Sequence, residues 1–370
     1  MKRLSARRTL LWGAGLFLLT FLAYLPVLQG GFIWDDSVMV TDNLMLRTAR
    51  GLRDFWCTTR AVDPLPVTMS ALWLQWQVWD GHPVGYHIVG VLAHIIGALL
   101  LWRVLLRFTS HPRLAWLTAA IFAVHPVAVA SAGWISEQKN TISLIFYLLS
   151  ILCWLRGGEV VRERGSSFST VGYWLSLCFY LCALLSKGSV VMLPVVLVFI
   201  MWWQDGKITQ KNFWRLAPFF ILSLVASLAT IWIQNHKAIG GEMVQNLGWP
   251  GRVAAAAWAV WFYAWKGLLP IHLSVIYPAW RVEAGSLAAW LPAISLTAVL
   301  ILCLRYRKSW GRHVMLGVGC FAATLFPVMG FFNMYFLVFS RVADHWQYLA
   351  LPPSLLLWSA AAAIIWPAPP

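Results

Sequence analysis

Asp35 and Asp36 stand side by side, directly behind Trp34, a few residues after the first long apolar run of the chain ends. An adjacent carboxylate pair at such an edge has two readings. It is a solvated loop start, or it supplies functional carboxylates: a base and its partner for a hydroxyl acceptor, or two ligands for a divalent cation. Glu137 sits in the short stretch Trp134-Ile-Ser-Glu-Gln-Lys-Asn140, with Lys139 two residues on and His125-Pro126 shortly before. The proline removes a helical hydrogen bond and bends the chain, so a histidine, an acid and a lysine converge near one end of two helices, or simply terminate them. Lys187 lies in Ser186-Lys-Gly-Ser189, a tight turn between two apolar runs. A lysine there binds a lipid phosphate or snorkels to headgroups. Asp344 and His345 fall in Arg341-Val-Ala-Asp-His-Trp-Gln-Tyr348, just before the last apolar run. These eight residues form a mixed acid–base set suited to a reaction at a membrane interface. Transporters more typically hold charges near the bilayer midplane and show inverted repeats, and neither is evident.

The elements that must position this set are membrane helices. The chain is 60% hydrophobic and 11% charged, against about 45–50% and about 25% in soluble domains. Its apolar runs approach the ~20 residues that a spanning helix needs. They are too continuous for the alternating strands of a barrel, and backbone groups in lipid must be satisfied internally. The expected fold is all-α, a polytopic transmembrane helix bundle of about ten spans. They are placed near 10–28, 86–106, 114–132, 141–155, 171–186, 189–203, 214–233, 287–304, 314–332 and 350–366. Residues 1–370 are read as one transmembrane domain, its first run an uncleaved span rather than a signal peptide. A long outer loop, 29–86, carries interfacial helices. Within it Trp73, Trp76 and Trp79 recur every third residue, which suits a helix lying on a membrane.

Charge distribution orients the bundle. With the N-terminus in the cytoplasm, the inner segments hold seventeen of the 28 Lys and Arg but three of the 13 acids, as the positive-inside rule requires. The net charge of +15 is thus mainly a topology signal, and no nucleic-acid partner is expected. The run 253–269 breaks the parity of this scheme: if it spanned, the basic segment from Arg305 to Arg312 would face outward. It is therefore expected to be a re-entrant or interfacial helix. The six cysteines show neither a disulfide framework nor zinc spacing.

The same residues carry a family likeness. Gly31-Phe-Ile-Trp-Asp-Asp36 resembles the aspartate motif of the glycosyltransferase C superfamily. Within it, the match is to the transmembrane and TPR-containing protein O-mannosyltransferases and their bacterial relatives. Gly85-Tyr-His-Ile-Val-Gly-Val-Leu-Ala-His94 resembles the start of their second span. Ala123-Val-His-Pro-Val127 with Trp134-Ile-Ser-Glu-Gln-Lys-Asn140, Leu185-Ser-Lys-Gly188 and Ala343-Asp-His-Trp-Gln-Tyr348 match in place and order. Five ordered motifs are far more specific than a lone Asp-Asp. Two departures stand out: His345 occupies a place where arginine is common, and the TPR repeats of many relatives are expected to be absent.

The resemblance implies a glycosyltransferase of the bacterial inner membrane, its site facing away from the cytoplasm. The donor would be a sugar on a polyprenyl phosphate; the acceptor, a hydroxyl of an extracytoplasmic protein or glycan; membrane lipid would surround both. Asp35, then Asp36, are the candidate bases. Lys139 and Lys187, with His345 third, would stabilise the leaving phosphate, and Glu137, His125 and Asp344 complete the substrate-binding set. Attack would be a single inverting displacement. No cofactor is favoured, although Asp35, Asp36 and Glu137 are the ligands if Mg²⁺ or Mn²⁺ takes part. A transporter or flippase for lipid-linked sugars is the alternative, needing the phosphate site but no base.

Overall fold

The computed structural model describes residues 5–58, 64–164, 169–241 and 244–365. Among these the regular structure is helical, with no strand. The chain divides into two compact units, Met1–Val190 and Val191–Pro370.

In the first unit the helices are α1 (Ala6–Ala23), α2 (Ala49–Cys57), α3 (Pro66–Trp79), α4 (Pro83–Leu105), α5 (Pro112–Val124), α6 (Pro126–Ala132), α7 (Gln138–Arg164) and α8 (Thr170–Leu184). Proline opens α3, α4, α5 and α6. Its missing N–H costs nothing in the first turn, where donors have no helical partner anyway. Small residues on α4 allow close packing: a Cβ on Gly90 would stand 3.2 Å from the Ala132 carbonyl oxygen. α7 and α8 are joined by reciprocal serines. Ser150 Oγ donates to the Ser176 carbonyl at 2.7 Å, and Ser176 Oγ to that of Ser150 at 2.8 Å. Such bonds hold helices together where lipid supplies no hydrophobic drive between them.

The second unit holds α9 (Leu193–Asp205), α10 (Gln210–Ile233), α11 (Trp249–Leu268), α12 (Leu287–Arg305), α13 (Gly311–Leu325) and α14 (Leu351–Ile365). α13 packs on both α9 and α14, and glycine makes this possible. A Cβ on Gly317 would strike Leu357, and one on Gly319 would strike Phe199. The core gathers Tyr263, Phe321, Leu325 and Val342. α10 is the opposite case. Leu224, Val225, Leu228 and Trp232 on it are all exposed, an apolar surface that suits lipid rather than water.

Helices occur at all ten places expected to span. Among the described residues, seven helices are long and apolar enough to cross a membrane, or eight if the bent pair α5–α6 is one span. α8 and the described part of α14 reach 15 residues each, short of the usual length. The α5–α6 pair bends by 60° at Pro126, as the lost hydrogen bond predicts. α11 takes in 253–268 of the run 253–269 but is not among the apolar seven, and much of it is buried in its unit, Lys266 included. The repeated apolar helices make the chain a multi-pass membrane protein.

Candidate functional site

The segment after α1 is fastened to the turn between α6 and α7. Trp34 adopts φ +40°, a conformation that bulky residues rarely adopt and that is often retained where function needs it. Its ring stacks on Trp134, with centroids 5.7 Å apart and planes 12° apart. Asp36 is fully buried. One carboxylate oxygen accepts the Ile33 N–H at 2.9 Å and the other the Ser136 N–H at 2.7 Å. Burial pushes its pKa up. The two backbone donors and nearby His87 oppose that rise. Asp36 therefore staples the loop to residue 136, and Asp35, half-buried, is carried beside it.

Next along the turn, Glu137 is buried between two cations. Lys139 Nζ lies 3.0 Å from one of its oxygens and Lys187 Nζ 3.3 Å from the other. Asn140 joins them: its amide nitrogen donates to Glu137 and to Ser131 Oγ, and its amide oxygen accepts from Lys187. Two lysines thus share one carboxylate. The turn bearing Lys187 is itself tied to α3, through Val67 N–H to the Leu185 carbonyl and Thr68 Oγ1 to that of Ser186. A reciprocal amide pair, Gln75 with Gln138, ties α3 to α7 as well, at 2.9 and 3.1 Å. Three segments far apart in sequence thus meet around Asp36, Glu137, Lys139 and Lys187.

His125 lies at the α5–α6 bend, where its Nδ1 accepts the Val127 N–H at 3.3 Å and caps α6. The three tryptophans of α3 pack against a core of Met39, Leu46, Phe55 and Leu72. The exposed apolar residues of that helix are instead Leu74 and Val78. Asp36 is held by backbone donors and Glu137 by lysines. Among the described residues no group of three His, Cys, Asp or Glu is placed to hold a metal ion.

Asp344 and His345 belong to the second unit, and both are buried. The Tyr277 hydroxyl donates to Asp344 at 2.8 Å. Burial raises the Asp344 pKa, while Tyr277, a bond from Ser274 and the charge of Lys266 oppose the rise. Burial, and then Asp344 itself, push the Tyr277 pKa up. Lys266 donates to the carbonyls of Ile271, at 2.6 Å, and His272, at 3.0 Å. His345 packs edge-on to Phe336, with centroids 5.4 Å apart. Sequence reasoning assigned no role to Asn140, Gln75 or Tyr277. Asn140 was findable, standing one helical turn from Glu137. Tyr277 lies 67 positions from Asp344, and nothing local marks it.

Comparison with known proteins adds relatives. The chain is 28% identical over 179 residues to the human protein O-mannosyl-transferase TMTC4, covering 42% of this chain and 24% of that protein. It is 32% identical over 181 residues to the Drosophila melanogaster protein O-mannosyl-transferase Tmtc1, covering 46% and 20%. With human protein O-mannosyl-transferase TMTC3 it shares 23% over 230 residues, covering 59% and 23%. The chain thus spans a quarter or less of the length of these relatives. No family model and no solved structure matches.

Proposed function

We propose that this chain is a membrane glycosyltransferase that moves a sugar from a polyprenyl-phosphate donor to a hydroxyl on a protein acceptor. The observation that carries the reading is the meeting of the Asp35–Asp36 loop, the Glu137–Asn140 turn and Lys187 in one largely buried cluster of acids and lysines. Relatives that transfer mannose to proteins support the reaction class.

In this reading the acceptor oxygen attacks the anomeric carbon as the bond from that carbon to the phosphate oxygen breaks, with inversion. Asp35 takes the acceptor proton. Asp36, its oxygens already engaged by backbone N–H donors, holds Asp35 in place. The electron pair of the broken bond leaves on the polyprenyl phosphate, and Lys139 and Lys187 stabilise the charge that develops there. The N-terminus is cytoplasmic and the cluster faces the other side of the membrane. Reporter fusions after Arg307 should then read cytoplasmic and fusions at Asp54 extracytoplasmic.

The deciding experiment incubates purified protein with a synthetic polyprenyl-phosphate mannose and a Ser/Thr-containing peptide. Glycopeptide and free polyprenyl phosphate should accumulate together. Saturable donor binding without either product would overturn the enzyme reading in favour of a lipid-linked sugar carrier.

A further inference from the structure

The second unit contains two arginines that no carboxylate neutralises among the described residues. Arg252 sits in the first turn of α11, where a cation opposes the helix dipole. The N-cap there, Gly248, supplies no side-chain cap. Arg252 Nε donates to the Leu247 carbonyl at 3.0 Å and Nη1 to that of Phe331 at 2.8 Å. Its guanidinium also lies 5.6 Å from the centre of the Trp249 ring. Arg341 Nη2 donates to Gln245 Oε1 at 2.8 Å. Gln245 turns its amide nitrogen to the Gly330 carbonyl at 3.1 Å and to Asn333 Oδ1 at 2.8 Å. Neutral acceptors therefore fix Arg252 directly on the Phe331 carbonyl and Arg341 on Gln245, which is itself bonded to Gly330. Their proximity strains the charge of Arg341, whose pKa is lowered by burial and then by Arg252.

Two details point to an anion here. Arg341 Nη1 is buried and has no hydrogen-bond partner among the described residues. It lies against Gly330, which has φ +81° and whose missing Cβ would stand 2.7 Å from that nitrogen. A buried, unpartnered guanidinium nitrogen is costly, and two adjacent like charges add to the cost. An anion between them would relieve both. Oxygen atoms at tetrahedral spacing suit the guanidinium fork, which binds phosphate in a bidentate manner.

We propose that Arg252, Arg341, Gln245 and the bare backbone at Gly330 form a cradle for a phosphate group. The cradle lies in the unit that does not contain Lys139 and Lys187, and it stands on geometry of its own, whether or not the chain transfers sugar. The ligand is a phosphate ester or free phosphate, and the headgroup of an anionic phospholipid offers the same chemistry.

Purified protein in phosphatidylcholine nanodiscs is titrated with inorganic phosphate while its melting temperature is followed, since a ligand of the folded state raises it. In parallel, native mass spectrometry counts phosphatidylglycerol retained from mixed phosphatidylglycerol–phosphatidylcholine nanodiscs. A saturable rise with phosphate identifies a soluble ligand. Retention of phosphatidylglycerol without that rise identifies a lipid headgroup. Either response should weaken by about ten- to a hundred-fold in Arg341→Gln, the loss expected for a charge-assisted bond. It should fall in Gly330→Ala, which fills the cradle, and hold in Arg281→Gln. The wild-type measurement requires no variant to fold, and absence of both responses there overturns the proposal. So does undiminished binding in folded Arg341→Gln. A tenfold gain in Glu242→Gln would show that the pair is already neutralised within the chain, and that too would overturn it.

Discussion

Both units bury aspartates, and they satisfy them in different ways. Asp36 in the first unit takes its donors from two peptide N–H groups, and its neighbour Glu137 is flanked by two lysines. Asp344 in the second takes a phenol, while the nearby ammonium of Lys266 gives its hydrogen bonds to carbonyls. The first arrangement fixes a loop and concentrates cations around an acid. The second fixes a single carboxyl whose ionisation burial resists. A peptide donor cannot move or titrate, so the first unit is built to hold geometry, as a site that positions a base and a leaving group must. The second, at Asp344, packs one carboxyl against a phenol.

The largest expected effect tests that division directly. Asp35→Asn keeps the side-chain shape and removes its basicity. Transfer should drop by roughly 10²–10⁴-fold, the usual worth of a positioned base, with donor binding intact. Asp344→Asn should change turnover far less. Equal losses in the two variants would break the division. A chelator that mimics Asp35→Asn, together with lost donor binding, would make the pair metal ligands.

The lysines provide the next test. Glu137→Gln leaves Lys139 and Lys187 facing each other without their shared carboxylate. Breaking a buried pair in this way costs about 3–5 kcal/mol, so the melting temperature should fall clearly. Lys187→Ala leaves Glu137 with Lys139 and should cost less in stability. It should weaken donor binding by about ten- to a hundred-fold through one lost charge-assisted bond. If Lys187→Ala melts early and binds donor normally, the lysine serves the fold and not the phosphate.

How much of this was legible in the sequence depends on distance along the chain. Helices follow from local apolar runs, and the ten places where they occur were readable. Their usable lengths were less so, because 171–186 carries enough apolar residues for a span but folds as 15 helical residues. The bend at Pro126 was readable because proline acts on its own backbone. The tryptophans of α3 were not, since a stripe at every third residue looks the same whether it meets lipid or a protein core. Asp35, Asp36, Glu137, Lys139 and Lys187 were nameable as scarce charges at the edges of apolar runs. That Asp36 would bond to residue 136, 100 positions away, depends on tertiary packing that no local pattern encodes.

Asp344 gives a smaller effect with a definite sign. Its native pKa lies above the ordinary aspartate value of about 3.9. The folded state therefore keeps the proton where the unfolded chain has released it, and stability falls as pH rises through that window. The contribution is complete below about pH 4 and is lost as pH climbs through the raised native value. Asp344→Asn abolishes the titration. The melting temperature of the variant relative to wild type should climb between about pH 4 and neutrality. Asp36, raised in the same direction, is common to both proteins. A difference that does not change with pH would remove Asp344 from the account.

The smallest effect on stability should come from Trp34, and it separates holding geometry from holding the fold. Trp34 occupies the left-handed region at φ +40°, and its ring, partly exposed, stacks on Trp134. Replacing it with glycine removes the stack, worth about 0.5–1.5 kcal/mol beyond area. It also relieves backbone strain of order 1–3 kcal/mol. The two terms oppose each other and are similar in size, so Trp34→Gly should melt within a few degrees of wild type. Activity should respond differently. The next residue is Asp35, and a glycine before it frees the backbone that aims the base. A misplacement of about 1 Å costs on the order of 10²-fold in rate. Trp34→Phe, which keeps both stack and side chain, should retain most of the transfer. The measurement is melting temperature and transfer rate for the two variants side by side. If Trp34→Gly transfers normally, the strained residue does not aim Asp35, and the Asp36 staple alone sets the loop.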